Sequence, residues 1–121
     1  MIKASEETLQ HVKKFQKELN TGTVALVLLS ILKRAKKPLY GYEISKLLDN
    51  THGEKQSAIY PVLRSLSEKG LLNSKVKPSD SGPPRKYFTI STLGKAVLKE
   101  WVAIWKEKQS LVDQILGEPH E

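Results

Sequence analysis

The stretch Ser57–Leu72, SAIYPVLRSLSEKGLL, decides how the rest of the chain is read. It opens on a small hydroxyl residue able to cap a helix and closes near Gly70, a natural helix stop. Between them Ile59, Val62, Leu63 and Leu66 recur at spacings of three and four, which makes one apolar stripe on a helix. The opposite face carries Ser57, Tyr60, Arg64, Ser65 and Glu68, a set of hydrogen-bonding and charged groups that an enclosed helix would not tolerate. Such a helix is held by one side and presents the other. Small and polar residues in its first turn, Ser57 and Ala58, let that end come close to a base-pair edge or a phosphate. The pattern predicts a DNA recognition helix.

The charge distribution points the same way. The 121 residues carry a formal net charge of +7. Residues 55–90 hold seven basic groups (Lys55, Arg64, Lys69, Lys75, Lys77, Arg85, Lys86) against two acidic ones (Glu68, Asp80), whereas residues 91–121 hold four basic and five acidic. The excess surrounds the proposed recognition helix and the segment directly after it. A polyanion partner accounts for this placement; solubility alone is the plainer alternative. Length and a hydrophobic content of 39% suit one domain with a modest core. The longest apolar run, Val24–Leu32, is too short to span a membrane, and the N-terminal MIKASEETLQ lacks the apolar segment of a secretory signal. Cysteine is absent, which excludes disulfides and thiolate metal sites. The expectation is a cytoplasmic protein with no membrane partner.

Upstream of the opening stretch, residues 5–19 predict an amphipathic helix capped by Ser5, with acids in its first turn and lysines later. Leu9, Val12, Phe15 (or Gln16) and Leu19 give it a narrow apolar edge that must pack against something, a second subunit being one option. Asn20-Thr21-Gly22 predicts a break. Thr23–Lys36, apolar nearly all round from Val24 to Leu32, then predicts a central buried helix; a strand fits so β-branched a run, but a cap at Thr21 or Thr23 and the basic end KRAKK favour helix. After a turn at Pro38–Gly41, Leu39–Asn50 predicts a short helix with Ile44, Leu47 and Leu48 inward and Glu43, Lys46 and Asp49 in water. The last two of these helices and the opening stretch, three in order, make a helix-turn-helix core.

Downstream, Leu71–Val76 and Arg85–Ile90 are two β-prone runs flanking KPSDSGPP, which predicts a hairpin with a loop of Pro, Gly and Ser at its tip. A hairpin directly after a helix-turn-helix is a wing, and Lys75, Lys77, Arg85 and Lys86 along it would meet phosphates or the minor groove. Thr92–Leu116 predicts a long helix ended by Gly117 and Pro119. In it Val97, Trp101, Ile104, Lys108, Leu111 and Ile115 alternate four and three apart, a 3.5-residue repeat. A helix of this length displaying two tryptophans needs a partner, most simply its own copy in a homodimer.

Nothing in the sequence supports catalysis or a cofactor. His11, His52 and His120 are scattered without carboxylates at ligand spacing, no serine sits in a nucleophile elbow, and no Gly-rich phosphate loop is present. Several residues keep more than one reading. Tyr60 would donate to a phosphate or pack against the helix-turn-helix; Arg64 would read a guanine edge or touch phosphate. Trp101 and Trp105 would fill a dimer core, stack a flat ligand, or pack within one chain.

Taken together, Gly22-Thr23 opening an apolar helix, PLYGYEI (Pro38–Ile44), AIYPVLRSLSEKGLL (Ala58–Leu72), GPPRKYFTIS (Gly82–Ser91) and Leu93-Gly94 resemble the PadR family of bacterial transcriptional regulators. The resemblance covers roughly residues 22 to 105, and the single C-terminal helix is similar to that of the family's short subgroup, whose members dimerise through it. It implies a mainly α fold with a small β-hairpin, in which a winged helix-turn-helix is followed by a long dimerisation helix. It further implies that Tyr40 and Tyr42 orient the helix-turn-helix, that Ser57, Ala58, Tyr60 and Arg64 lie on the recognition helix, and that Arg85 and Lys86 lie at the wing. Trp105 falls near where one ligand-binding branch carries a tryptophan, with Trp101 one turn earlier. The expected division is a DNA-binding part over residues 1–91 and a dimerisation helix over 92–121. The expected function is a non-enzymatic repressor that binds double-stranded DNA as a homodimer, relieved in some members by a small aromatic effector. A winged-helix adaptor that binds an acidic protein partner is the alternative.

Overall fold

The computed structural model describes residues 5–52 and 56–117, the side chains of 49–52 and 56–58 excepted. Four helices and a three-stranded antiparallel sheet succeed one another in the order α1 (Glu6–Ala35), β1 (Leu39–Tyr40), α2 (Gly41–His52), α3 (Gln56–Glu68), β2 (Leu72–Ser79), β3 (Gly82–Ile90) and α4 (Thr92–Leu116).

The predicted break at Asn20-Thr21-Gly22 does not occur: α1 runs through it for 30 residues. Ser5 caps it, accepting from the Thr8 amide at 3.0 Å. Thr23 is no cap, because its hydroxyl donates back to the Leu19 carbonyl at 2.8 Å inside the helix. A glycine in a helix interior costs about 1 kcal/mol against alanine, less than ending one hydrogen-bonded ladder and nucleating another. Lys36, in the left-handed region at φ 62°, ends the helix two residues before Pro38. The central part is also less enclosed than expected. Leu28, Leu29 and Leu32 are buried, while Val24, Val27 and Ile31 are only partly covered and face α4.

Leu39 and Tyr40 are strand, not helix. They pair with Phe88 and Tyr87 of β3, so the expected two-stranded hairpin becomes a sheet in the order β1-β3-β2. A two-residue strand is visible only from its partner. The α2 helix begins at Gly41, and Glu43, expected in water, is half-buried and accepts from the Tyr40 amide at 3.1 Å, the return half of a capping box. Ile44 and Leu48 are buried as predicted and Lys46 is exposed, but Leu47 is 47% exposed. Asp49 lies outside the described side chains.

The α3 helix sends Ile59, Leu63 and Leu66 into the core. It starts at Gln56, so Ser57 lies inside its first turn and does not precede it as a cap. The chain leaves α3 through Gly70 at φ 79°, where the Leu71 amide donates to the Leu66 carbonyl at 2.9 Å. β2 and β3 run further into KPSDSGPP than expected, leaving only Asp80 and Ser81 between them. The prolines are accommodated because the register is irregular between Lys77 and Ser79: Lys77 faces Arg85 and Ser79 faces Gly82, so Pro83 and Pro84 oppose the single Pro78.

Ser91 joins the two halves. Its side chain accepts from the Gly94 amide at 2.9 Å, capping α4, and donates to the Gly70 carbonyl at 2.7 Å. Its own amide donates to the Leu71 carbonyl at 3.1 Å. α4 spans the predicted residues and ends on Gly117, φ 66°, whose amide reaches Asp113 and Gln114; Pro119 lies outside the described residues. One core results, with Leu39, Leu71, Leu72, Phe88 and Leu98 closing it around α1, α2 and α3.

Candidate nucleic-acid interface

Because Ile59, Leu63 and Leu66 face inward, Tyr60, Arg64 and Glu68 are turned out along α3. The Tyr60 ring, 40% exposed, lies against the first residue of α2: a Cβ added to Gly41 would collide with the ring and its hydroxyl oxygen. Glycine at position 41 thus lets the recognition helix and α2 approach closely, and packing against the helix-turn-helix is part of what Tyr60 does. Ser57 and Ala58 fall in the first turn of α3 by backbone, but their side chains lie outside those described.

The wing's charges divide between two faces. Strand alternation places residues opposite Leu39 and Phe88, both buried, on the core side of the sheet. Lys86 and its cross-strand partner Val76 share that side, out beyond the core. Arg85, Lys77 and Lys75 lie on the outer side together with Tyr87 and Tyr40. The neighbours Arg85 and Lys86, adjacent in sequence, therefore point to opposite faces of the hairpin.

The α4 residues of the 3.5-residue repeat also divide. Val97 and Trp101 are half-covered by their own chain's core. Ile104, Lys108, Leu111 and Ile115 are exposed, Ile115 by 76%, and Val112 and Leu116 beside them are exposed as well. On α1, Leu9, Val12, Phe15 and Leu19 are likewise exposed, Phe15 by 65%. Trp105, 39% exposed, stands between two grooves. One of about 520 Å³ runs along α1 past Val24, Val27, Ile31 and Arg34; the other, of about 430 Å³, is lined by Trp101, Ile104 and Lys108.

Among the described residues no group of three His, Asp or Glu side chains could hold a metal, and His52 and His120 lie outside the described side chains. Among them, too, no helix is long and apolar enough to cross a membrane.

A helix locked by one face beside a second short helix, followed by a cationic hairpin and a long helix, defines a winged helix-turn-helix protein. The chain belongs to the PadR-like family of transcriptional regulators, which matches residues 28–100, more than half of its length. It is similar to a PadR family regulator from Eggerthella lenta, at 31% identity and a TM-score of 0.82 over 95% of this chain and 100% of that one. It is also similar to a PadR-like regulator from Bacillus cereus, at 27% identity and a TM-score of 0.71 over 84% of this chain and 99% of the other. An uncharacterised protein of Lysinibacillus sphaericus is 35% identical over 81 residues, 64% of this chain and 74% of that relative. The protein is accordingly a DNA-binding transcriptional regulator and not an enzyme.

Proposed function

We propose that the chain is a repressor acting as a homodimer, with one α3 from each subunit in successive major grooves, roughly 34 Å apart, of a pseudo-palindromic operator. The observation that supports it best is α3 itself, apolar residues sealed in the core and Tyr60 and Arg64 turned outward. Ser57 and Ala58 would face the base edges, the Tyr60 hydroxyl a phosphate, and Arg64 a phosphate or a guanine. A hairpin inserted in a minor groove has a phosphate ridge on either side, which suits Lys75, Lys77 and Arg85 on one face and Lys86 on the other. Residues 1–91 would read DNA and 92–121 would assemble the dimer. The exposed apolar residues of α4 and of the first half of α1 supply the surface for assembly. An aromatic effector would sit in the grooves beside Trp101 and Trp105, whose indole faces suit planar guests. A regulator of this kind works in the cytoplasm.

The test begins with duplexes selected by the protein from a random pool. The selected duplex should bind far more tightly than a scrambled one, and Arg64→Ala with Lys86→Ala should weaken binding and reduce its salt slope by about four where both side chains meet phosphates, two contacts in each subunit. Unchanged affinity and slope would remove this face from the interface. Weak binding that ignores sequence would favour the adaptor. A reporter fused to the selected operator should fall in expression when the protein is supplied; a rise would make it an activator. In sedimentation at micromolar concentration the mass should be twice the 13.6 kDa of the chain, and a monomer would rule out the paired-groove arrangement.

A further inference from the structure

The outer side of the sheet holds three tyrosines in a row that runs past the wing onto α2. Tyr42 stacks on Tyr40 with ring centres 6.3 Å apart, and Tyr40 meets Tyr87 edge-on at 5.4 Å. Each ring carries one cation. The Lys46 ammonium lies 5.5 Å from the centre of Tyr42, the Arg85 guanidinium 4.5 Å from Tyr40, and the Lys77 ammonium 5.4 Å from Tyr87. The outward strand positions beside them hold Asn73 and Lys75 on β2 and Thr89 on β3, with no carboxylate. Glu43, the nearest acid in sequence to Tyr42, is engaged with the Tyr40 amide.

Tyr42 is exposed and Tyr40 and Tyr87 are half-buried. Cations held over rings at the surface contribute little to folding, but they lose less side-chain freedom when they meet an anion. We propose that this row is an additional strip for the DNA backbone, continuous with the wing and ending at Lys46. In it the rings set the cations in place, and Tyr40 is the positioning residue for Arg85. Lys46 contacts phosphates flanking the segment read by α3. The inference rests on the DNA-binding reading above and extends its footprint from the recognition helix and wing to α2.

The experiment measures binding of the selected duplex, extended by flanking base pairs, across a salt series. Lys46→Ala, at an exposed position, should weaken binding about three- to tenfold at low salt and lower the salt slope by about two, one phosphate contact in each subunit. Tyr40→Leu should weaken it about two- to fivefold, the range of a cation over an aromatic ring, while Tyr40→Phe, which keeps the ring, should match the wild type. In an Arg85→Ala background Tyr40→Leu should add nothing, because its effect passes through that guanidinium. An unchanged affinity and slope in Lys46→Ala overturns the strip, and Lys46→Ala decides alone if Tyr40→Leu does not fold. An equal cost of Tyr40→Leu with and without Arg85 makes Tyr40 merely structural and overturns its positioning role. If Arg64→Ala weakens binding while Lys46→Ala is silent, the strip alone fails. If the wild type shows no sequence preference, the DNA-binding reading fails and takes the strip with it.

Discussion

Leu63→Ala is expected to lower the stability of the protein by about 3 kcal/mol, seen as a fall of about 10 °C in the midpoint of thermal unfolding at fixed protein concentration. Leu63 is 1% exposed and stands between Ile59 and Leu66 on the inward face of α3, in a core to which α1, α2 and the sheet all contribute. Removing three carbons there loses the burial of the side chain and leaves a cavity that a helix held on both flanks cannot close. Tyr60 and Arg64 project from the opposite side, so DNA affinity well below the melting temperature should change far less than stability does. A loss under about 1 kcal/mol would mean that α3 is not anchored by this face.

The second large effect is at Gly94, where alanine should also cost about 3 kcal/mol, the upper end for overpacking. A Cβ at this position would run into the Leu71 carbonyl oxygen and would come within 2.8 Å of Ile90 Cγ1. That same carbonyl accepts the Ser91 amide, and Ser91 caps α4. The added methyl would therefore push α4 away from the turn after α3 and break the bond that seats its cap. Gly22 is the matched contrast. Nothing lies within 4 Å of a Cβ there, and the residue sits inside α1, so Gly22→Ala should stabilise by about 1 kcal/mol. Opposite signs for the two glycine-to-alanine changes would be read directly from thermal melts. Destabilisation by Gly22→Ala would argue against an unbroken α1, and a silent Gly94→Ala against the close approach of α4.

Elements governed by local signals were legible in the residues. Ser5 caps the helix it precedes, α4 keeps its predicted ends, and the stripe Ile59, Leu63 and Leu66 is the buried face of α3. Misreadings arose where the surroundings of a residue, in the same element or across the fold, override its local signal. Asn20 and Gly22 carry the composition of a turn, yet strong helix on either side carries the ladder through them. Leu39-Tyr40 is strand only because Phe88 and Tyr87 lie opposite, and Pro83 and Pro84 remain in a strand only because β3 holds one residue more than β2 across from them. Leu47 fits an inward spacing on a short helix but falls on the uncovered side. The candidate interface was partly legible: Lys75, Lys77, Arg85 and Lys86 stand out in the sequence and Lys46 does not, but the faces of those four depend on a cross-strand register that no local pattern supplies. The row of tyrosines under Lys46, Arg85 and Lys77 is the clearest case, being assembled from three separate segments.

The unbroken α1 has a further consequence for assembly. At about 1.5 Å per residue it is about 45 Å long, and only its second half is gripped by the core. Starting a helix is the expensive step, and extending one is nearly free. The gripped half supplies the start, so the half bearing Leu9, Val12, Phe15 and Leu19 projects as a shaped arm without a nucleation step of its own. A second subunit meeting that arm would not have to order it first, and more of the apolar contact would go into holding the pair together.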